Sequence, residues 1–274
     1  MLRVATFNVN GIRASLRRGF GSWLAGRDCD IVALQEVRCP EDQLPPDAFG
    51  DYHASYHCGE LAGRNGVALL THRPPVAVRH GFGSREFDGE GRYLEADVDL
   101  GGGRPGLRVA SLYLPKGGVP TSEEGLSRLH RKMRFCRSLS RHVRRSRREA
   151  ARERREFVVM GDWNIAPTEL DLKNYASNRR SEGFLPEERE WIAGQVTPRT
   201  LVDVVRHLHP RTSGPYSWWS WRGQAFTNDV GWRIDYQLAS PSLAKAAVSG
   251  GTDRDASYAE RLSDHAPVVV DYAV

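Results

Sequence analysis

The chain has 274 residues, 40% hydrophobic and 27% charged, the balance of a soluble globular protein with ample length for a core, and no apolar run nears the ~20 residues that span a bilayer. Its four cysteines (Cys29, Cys39, Cys58, Cys136) form no Cys-x-x-Cys pair and no zinc spacing, which excludes a disulfide scaffold or zinc ribbon and suits reduced thiols in a cytoplasmic protein. The net charge of +5 invites a nucleic-acid reading, yet eight arginines between residues 141 and 155 meet only Glu149 and Glu153, and the other 31 basic and 32 acidic side chains nearly cancel.

In chain order, a strand is expected at residues 2–7, with no apolar signal-peptide segment before it, ending at Asn8-Val9-Asn10-Gly11. A helix suits residues 12–24. Strands follow at 31–34, before Gln35-Glu36, and at 67–71 and 93–98. The glycines of residues 101–106 form a hairpin turn into a strand at 108–112, which ends at Tyr113-Leu114-Pro115. Residues 122–155 read as a helix whose arginine-rich end is solvated, a solubility or general-polyanion feature rather than part of a specific site. A strand at 157–160 runs into Gly161-Asp162-Trp163-Asn164, and Pro186-Glu187-Glu188 opens a helix over 186–193. Strands at 234–239 and 268–272 complete the series, the last preceded by Ser263-Asp264-His265. His207 and His209, two apart before a proline and without a carboxylate neighbour, read as surface residues rather than a metal pair. Strands and helices mix without a linker or a 20–50-residue repeat, so residues 1–274 are expected to form one α/β domain of two packed sheets covered by helices.

Polar side chains at strand ends are well placed to assemble a rigid site. Here they are Asn8, Asn10, Glu36, Tyr113, Asp162, Asn164, Asp235, Asp264 and His265. Singly, each has a plain structural explanation: Asp162 could cap a turn, and Asn-x-Asn-Gly could be turn chemistry. Together they supply the hard oxygen donors that Mg²⁺ or Mn²⁺ prefers. A histidine beside an aspartate adds proton transfer, and amide and phenol donors can bind phosphoryl oxygens as charge accumulates. The set suits metal-assisted phosphoester hydrolysis.

These motifs, in this order, resemble the endonuclease/exonuclease/phosphatase superfamily. Gly231-Trp232-Arg233-Ile234-Asp235-Tyr236, Leu170-Asp171-Leu172 and residues 183–191 resemble its exonuclease III / AP endonuclease branch, and the match runs over residues 5–270. The resemblance implies a four-layer αββα sandwich of the DNase I-like kind. It also implies a DNA phosphodiesterase of base excision repair, cutting 5′ to abasic sites, degrading 3′ ends, or both, with Mg²⁺ as cofactor and Mn²⁺ able to substitute. Double-stranded DNA with abasic sites or 3′ ends is the partner implied, with no membrane and no obligate protein partner.

Carried onto this chain, the resemblance makes Asn10, Glu36, Asp162, Asn164 and Asp264 the metal surroundings. Tyr113, Asp162, Asn164, Asp235 and His265 become the catalytic set, in which Asp162 activates water or protonates the leaving group and Asp235 orients and charges His265. Asn8, Arg38, Lys116, Trp218, Trp232 and Ile234 would contact DNA, the last three forming an apolar slot for a base-less sugar. Lys116 departs from the family, which commonly has Asn or Gln there, and is expected to grip a backbone phosphate. The rival readings are a superfamily enzyme acting on RNA or phospholipid, and a nucleic-acid-binding homologue that has lost catalysis. Retention of Glu36, Asp162, Asp235 and His265 counts against the second.

Overall fold

The computed structural model describes residues 1–274 throughout. Its first half runs β1 (Leu2–Asn8), α1 (Ile12–Arg17), α2 (Phe20–Arg27), β2 (Ile31–Gln35), β3 (His53–His57), β4 (Val67–Thr71), β5 (Ala77–His80), β6 (Tyr93–Val98) and β7 (Gly106–Tyr113). The second half runs α3 (Glu123–Arg152), β8 (Arg155–Asp162), α4 (Tyr175–Asn178), α5 (Pro186–Gln195), β9 (Val202–Asp203), α6 (Val204–Leu208), β10 (Asp235–Ala239), α7 (Pro241–Lys245), β11 (Ala247–Thr252) and β12 (Val268–Tyr272).

The strands form two six-stranded sheets, ordered β11-β12-β1-β2-β4-β3 and β5-β6-β7-β8-β10-β9. Each is mixed, with one parallel pair (β1 with β2, β7 with β8) among antiparallel neighbours. Period-two alternation explains the layering. Val4 of β1, Ile31 and Ala33 of β2, Val109 of β7, and Val158 and Met160 of β8 point between the sheets into one shared core. Their neighbours Ala5, Phe7, Val32 and Leu34 point outward under α1 and α2, where Ile12, Phe20 and Leu24 cover them. On the second sheet Ala110, Leu112, Phe157 and Val159 point outward under Phe135, Leu139 and Val143 of α3. The result is four layers, helix–sheet–sheet–helix, as the sequence implies.

Near one end of the sandwich the shared core turns polar, and the same alternation carries the change. Val4 gives way to Thr6 and then Asn8; Ala33 to Gln35; Val109 to Ser111 and then Tyr113. Gln35 donates to Ser111 across the sheets (3.0 Å), and Gln237 donates to the carbonyl of Val4 (2.9 Å). Register then sets Tyr113, Asp162 and Asp235 in one row across β7, β8 and β10.

Strands β7 and β8 and helix α5 run one to two residues past their expected ends, and two helices differ more. The helix expected over residues 12–24 is two helices, because Gly19 adopts a left-handed conformation (φ 102°) and starts a new segment that runs on to Arg27. The long helix stops at Arg152 rather than continuing to residue 155. Its start is as expected: the Ser122 hydroxyl accepts from the amide of Gly125 (3.1 Å), with Glu123 and Glu124 in the first turn. His209 Nε2 lies 2.7 Å from the carbonyl of Gly250, and His207 is exposed. No helix is long and apolar enough to cross a membrane.

Candidate active site

The strand-end residues converge where the two sheets meet. The buried Asn8 amide bridges them, donating to Glu36 (2.8 Å) on one side and to Asp162 (2.9 Å) on the other. Asp162 also accepts from the backbone amide of Asn164 (2.9 Å) and from its side chain (3.2 Å). His265 directs Nε2 towards Asp162 (3.8 Å) and Nδ1 towards Asp235 (2.9 Å). One oxygen of Asp235 also accepts from the Ser217 hydroxyl (2.6 Å), while the other is buried with no partner.

Glu36, Asp162 and His265 present ligand atoms within 4.8 Å of one another. Asp264 stands beside this trio, its two oxygens held by Asn10 (2.8 Å) and the indole of Trp218 (3.1 Å). Arg38, at the rim, pairs with the carboxylate of Glu36. Tyr113 is buried beside Glu36 and Asp162, with the Arg92 guanidinium 4.8 Å from its ring centre.

The electrostatics follow from that packing. Burial pushes the Asp162 carboxyl up to about 7; His265 opposes this, while Asp235 and Glu36 reinforce it. Burial works the other way on His265, yet the charge and hydrogen bond of Asp235, with help from Asp162, hold it raised, at about 10. Tyr113 is raised well above the usual phenol range by burial and by Glu36 and Asp162, so its hydroxyl keeps its proton. Asp264 shows the opposite balance. Burial is outweighed by the charge of His265 and by the donors Trp218 and Asn10, which hold it below the usual carboxylate range.

The backbone is unusual at the same place. Asn10, Glu36, Arg38 and Asn164 all have positive φ, between 46° and 52°. Such conformations are uncommon outside glycine and cluster where surrounding structure enforces them. Here they turn the chain sharply as it leaves β1, β2 and β8, aiming consecutive polar residues into one site.

A cavity of about 220 Å³ opens beside the charged centre and shares Asn164 and His265 with it. Trp218, Trp232 and Ile234 form its apolar wall, and Lys116, Ser181 and Glu182 its polar lip. The indoles meet edge to face at 6.4 Å. Trp218 and Trp232 are half-buried, whereas the intervening Trp219 packs inward against Phe226, as alternation requires.

Residues 5–265 match the Endonuclease/Exonuclease/phosphatase family. The chain belongs to that family. Among its relatives, the exodeoxyribonuclease of Bacillus subtilis (strain 168) is 32% identical over 97% of this chain and 98% of its own length. The DNA repair nuclease APEX1 of Danio rerio is 32% identical over 100% of this chain and 83% of its own length. An AP endonuclease from Archaeoglobus fulgidus superposes with a TM-score of 0.85 at 29% identity, covering all of both chains.

Within this member of the family, several supporting residues carry no signal of their own in the sequence. Ser217 places Asp235 by accepting from its backbone amide (3.1 Å) while donating to its carboxylate. Arg233 points away from the cavity and is held by Asp171 (2.7 Å) and Asp203 (2.8 Å), which fixes its neighbours Trp232 and Ile234 in the wall. The fully buried Lys132 donates to Glu188 (2.6 Å) and to the carbonyl of Asn164 (2.9 Å). Arg233 lies within a quoted motif, but which way its side chain points is a tertiary fact.

The donors fit a divalent cation of the hard, oxygen-seeking kind. Two carboxylates face each other across one amide, and burial together with the charges of Asp235 and Glu36 pushes Asp162 upward against the opposing charge of His265.

Proposed function

We propose that this protein is a Mg²⁺-dependent DNA phosphodiesterase of base excision repair, folded as one catalytic domain, which cuts duplex DNA 5′ to abasic sites and trims 3′ ends. The observation that carries the reading is the cavity. Its tryptophan and isoleucine wall borders the same Asn164 and His265 that face the charged centre. A base-less deoxyribose has apolar faces and no Watson–Crick edge, so a small greasy slot selects it, while an intact nucleotide is opposed by size and by the cost of unstacking. The names of the relatives, an exodeoxyribonuclease and a DNA repair nuclease, support a DNA substrate. Four free cysteines, three buried and Cys58 half-buried, support a reducing, cytoplasmic setting.

In the hydrolysis, water attacks phosphorus, its oxygen forms the new P–O bond, and the P–O3′ bond breaks; the departing 3′-oxyanion takes a proton from solvent water and becomes a 3′-hydroxyl. Glu36 and Asp162, with Asn10, Asn164 and Asp264 around them, would hold the metal. A bound divalent cation supplies positive charge for the phosphoryl oxygens and the leaving oxyanion. His265, kept cationic by Asp235, donates from Nε2 to a non-bridging oxygen. Asp162, fixed by Asn8 and Asn164 and facing Nε2 of His265, takes the proton of the attacking water. Tyr113, which keeps its proton, donates a hydrogen bond to the phosphate, Asn164 orients Asp162, and Arg38 and Lys116 meet the flanking backbone; Asn8, expected to contact DNA, is instead fully buried and braces Glu36 against Asp162.

The test uses two labelled duplexes, one with a single abasic-site analogue and one intact with a recessed 3′ end, each incubated with protein and Mg²⁺. Incision 5′ to the lesion is expected, lost with EDTA and reduced by about 10²–10⁴ in Asp162→Asn; the second duplex reports the accompanying exonuclease. If neither duplex is cut, even with Mn²⁺, the DNA-repair reading is wrong and RNA or phospholipid substrates come next.

A further inference from the structure

The 30 residues of α3 make an amphipathic helix whose two faces have different fates. Its apolar face is fully used: Phe135, Cys136, Leu139 and Val143 are buried against the second sheet. On the opposite face Arg137, Arg141, Arg144, Arg148 and Arg152 recur at spacings of four, three, four and four, all exposed. At 100° per residue this spacing forms one straight stripe, roughly 22 Å long at 1.5 Å per residue.

None of the five forms an ion pair, although their neighbours do: Arg134 with Glu86, and Arg145 with Glu149. Like charges at this spacing work against a helix. Only Arg152 lies in the last turn, where the helix dipole compensates a cation. The stripe is therefore uncompensated positive charge on an otherwise nearly neutral chain. Guanidinium is the side chain best matched to phosphate oxygens, and a duplex presents roughly thirteen phosphate charges over such a length, at one per ~1.7 Å of axis.

Position decides which DNA it meets. Lys132, by touching the carbonyl of Asn164, marks the level of the catalytic centre on α3. From there the helix runs back along β8, so the stripe begins roughly 8 Å from that level and ends roughly 30 Å away. It lies on the flank, and duplex DNA is too stiff to leave the catalytic face and fold down that flank within one site. An anionic membrane is the poorer match, because surface helices bind bilayers through an apolar face and this one has none free.

We propose that the stripe is a second seat for double-stranded DNA, gripping the phosphates of a duplex segment other than the one being cut. The inference rests on the DNA reading of the catalytic site for its biological sense but not for its test. Binding of the full chain to a long, undamaged duplex is measured in EDTA across a salt series. A variant with Arg137, Arg141, Arg144, Arg148 and Arg152 all changed to Gln should flatten the slope of log affinity against log salt by about 4.5 units. The pair R141Q/R148Q, a lighter change should the first misfold, should flatten it by nearly two.

Incision of a short abasic duplex, only long enough to cover the catalytic face, should be unchanged in both variants. An unaltered salt slope would overturn the proposal. Loss of short-duplex incision by a folded variant would also overturn it, placing the stripe within the catalytic footprint. So would capture by phosphatidylglycerol vesicles, or by a polyglutamate probe, that depends on the arginines while DNA binding does not. If the wild type incises nothing yet the salt slopes differ, the seat stands and only the proposed reaction fails.

Discussion

Asp162 and Asp264 flank the same histidine and titrate in opposite directions. Both are largely shielded from water and both feel His265. Burial is the main force on Asp162, reinforced by two further carboxylates beyond what its donors offset, whereas on Asp264 burial is outweighed by His265 and by an indole and an amide donor; one is driven towards its proton and the other held as an anion. His265 is the pivot, and its charge depends on Asp235. Replacing Asp235 with Asn keeps the shape and removes the charge. Turnover should fall by about 10²–10⁴, with KM little changed, and the His265 titration followed by NMR should move down from its raised position. A His265 titration unmoved in that variant would mean Asp235 is only a packing residue. The polar residues at strand ends were readable in advance because each borders an apolar run, Asn8, Glu36 and Asp162 after one and Asp235, Asp264 and His265 before one. Ser217 and Lys132 were not: a serine in a loop and a lysine in a helix rich in cations look like surface, and only the fold reveals that both are buried.

Among the elements, eight strands are recognisable from the sequence and four are not. The four are β11, β3, β5 and β9, the outer strands of the two sheets. An inner strand is buried on both faces and reads as an apolar run, as Val67–Thr71 does. An edge strand has no such pattern: β3 is His-Ala-Ser-Tyr-His, β11 carries two glycines and a register shift, and β9 has two residues. The long helix was legible in outline, but its link to α5 was not. Lys132 and Glu188, both fully buried, join the two helices under Asn164. Removing one member of such a pair leaves a charge without a partner, so Lys132→Met should lower stability by about 3–5 kcal/mol, and pairing it with Glu188→Leu should restore most of that. Chemical denaturation of the three variants decides the matter, and additive losses would show that the two charges act independently.

For the molecule as a whole, acid stability should trace to the carboxylates that tie distant segments together. Asp171 is buried, which raises its proton affinity, but Arg233, Thr168 and Arg206 outweigh burial and hold it below its ordinary 3.8. A depressed folded value stabilises the protein fully above the unfolded value, and that stability is lost as pH falls through the folded one. Asp171→Asn should therefore be less stable than the parent at pH 7, with the gap closing below about pH 4; a gap constant with pH would exclude the linkage. The order of the first sheet has a consequence of another kind. The strand nearest the beginning, β1, lies between β2 and the last strand, β12; Asn8 ends β1 and His265 shortly precedes β12, and both face Asp162. A chain emerging from the ribosome thus carries Glu36 and Asp162 long before it has His265, and nearly the whole sequence must be free before the first sheet closes. Contacts this remote in sequence form late and slowly. A nascent chain that has not yet made β12 therefore lacks both the antiparallel partner of β1 and the imidazole that faces Asp162.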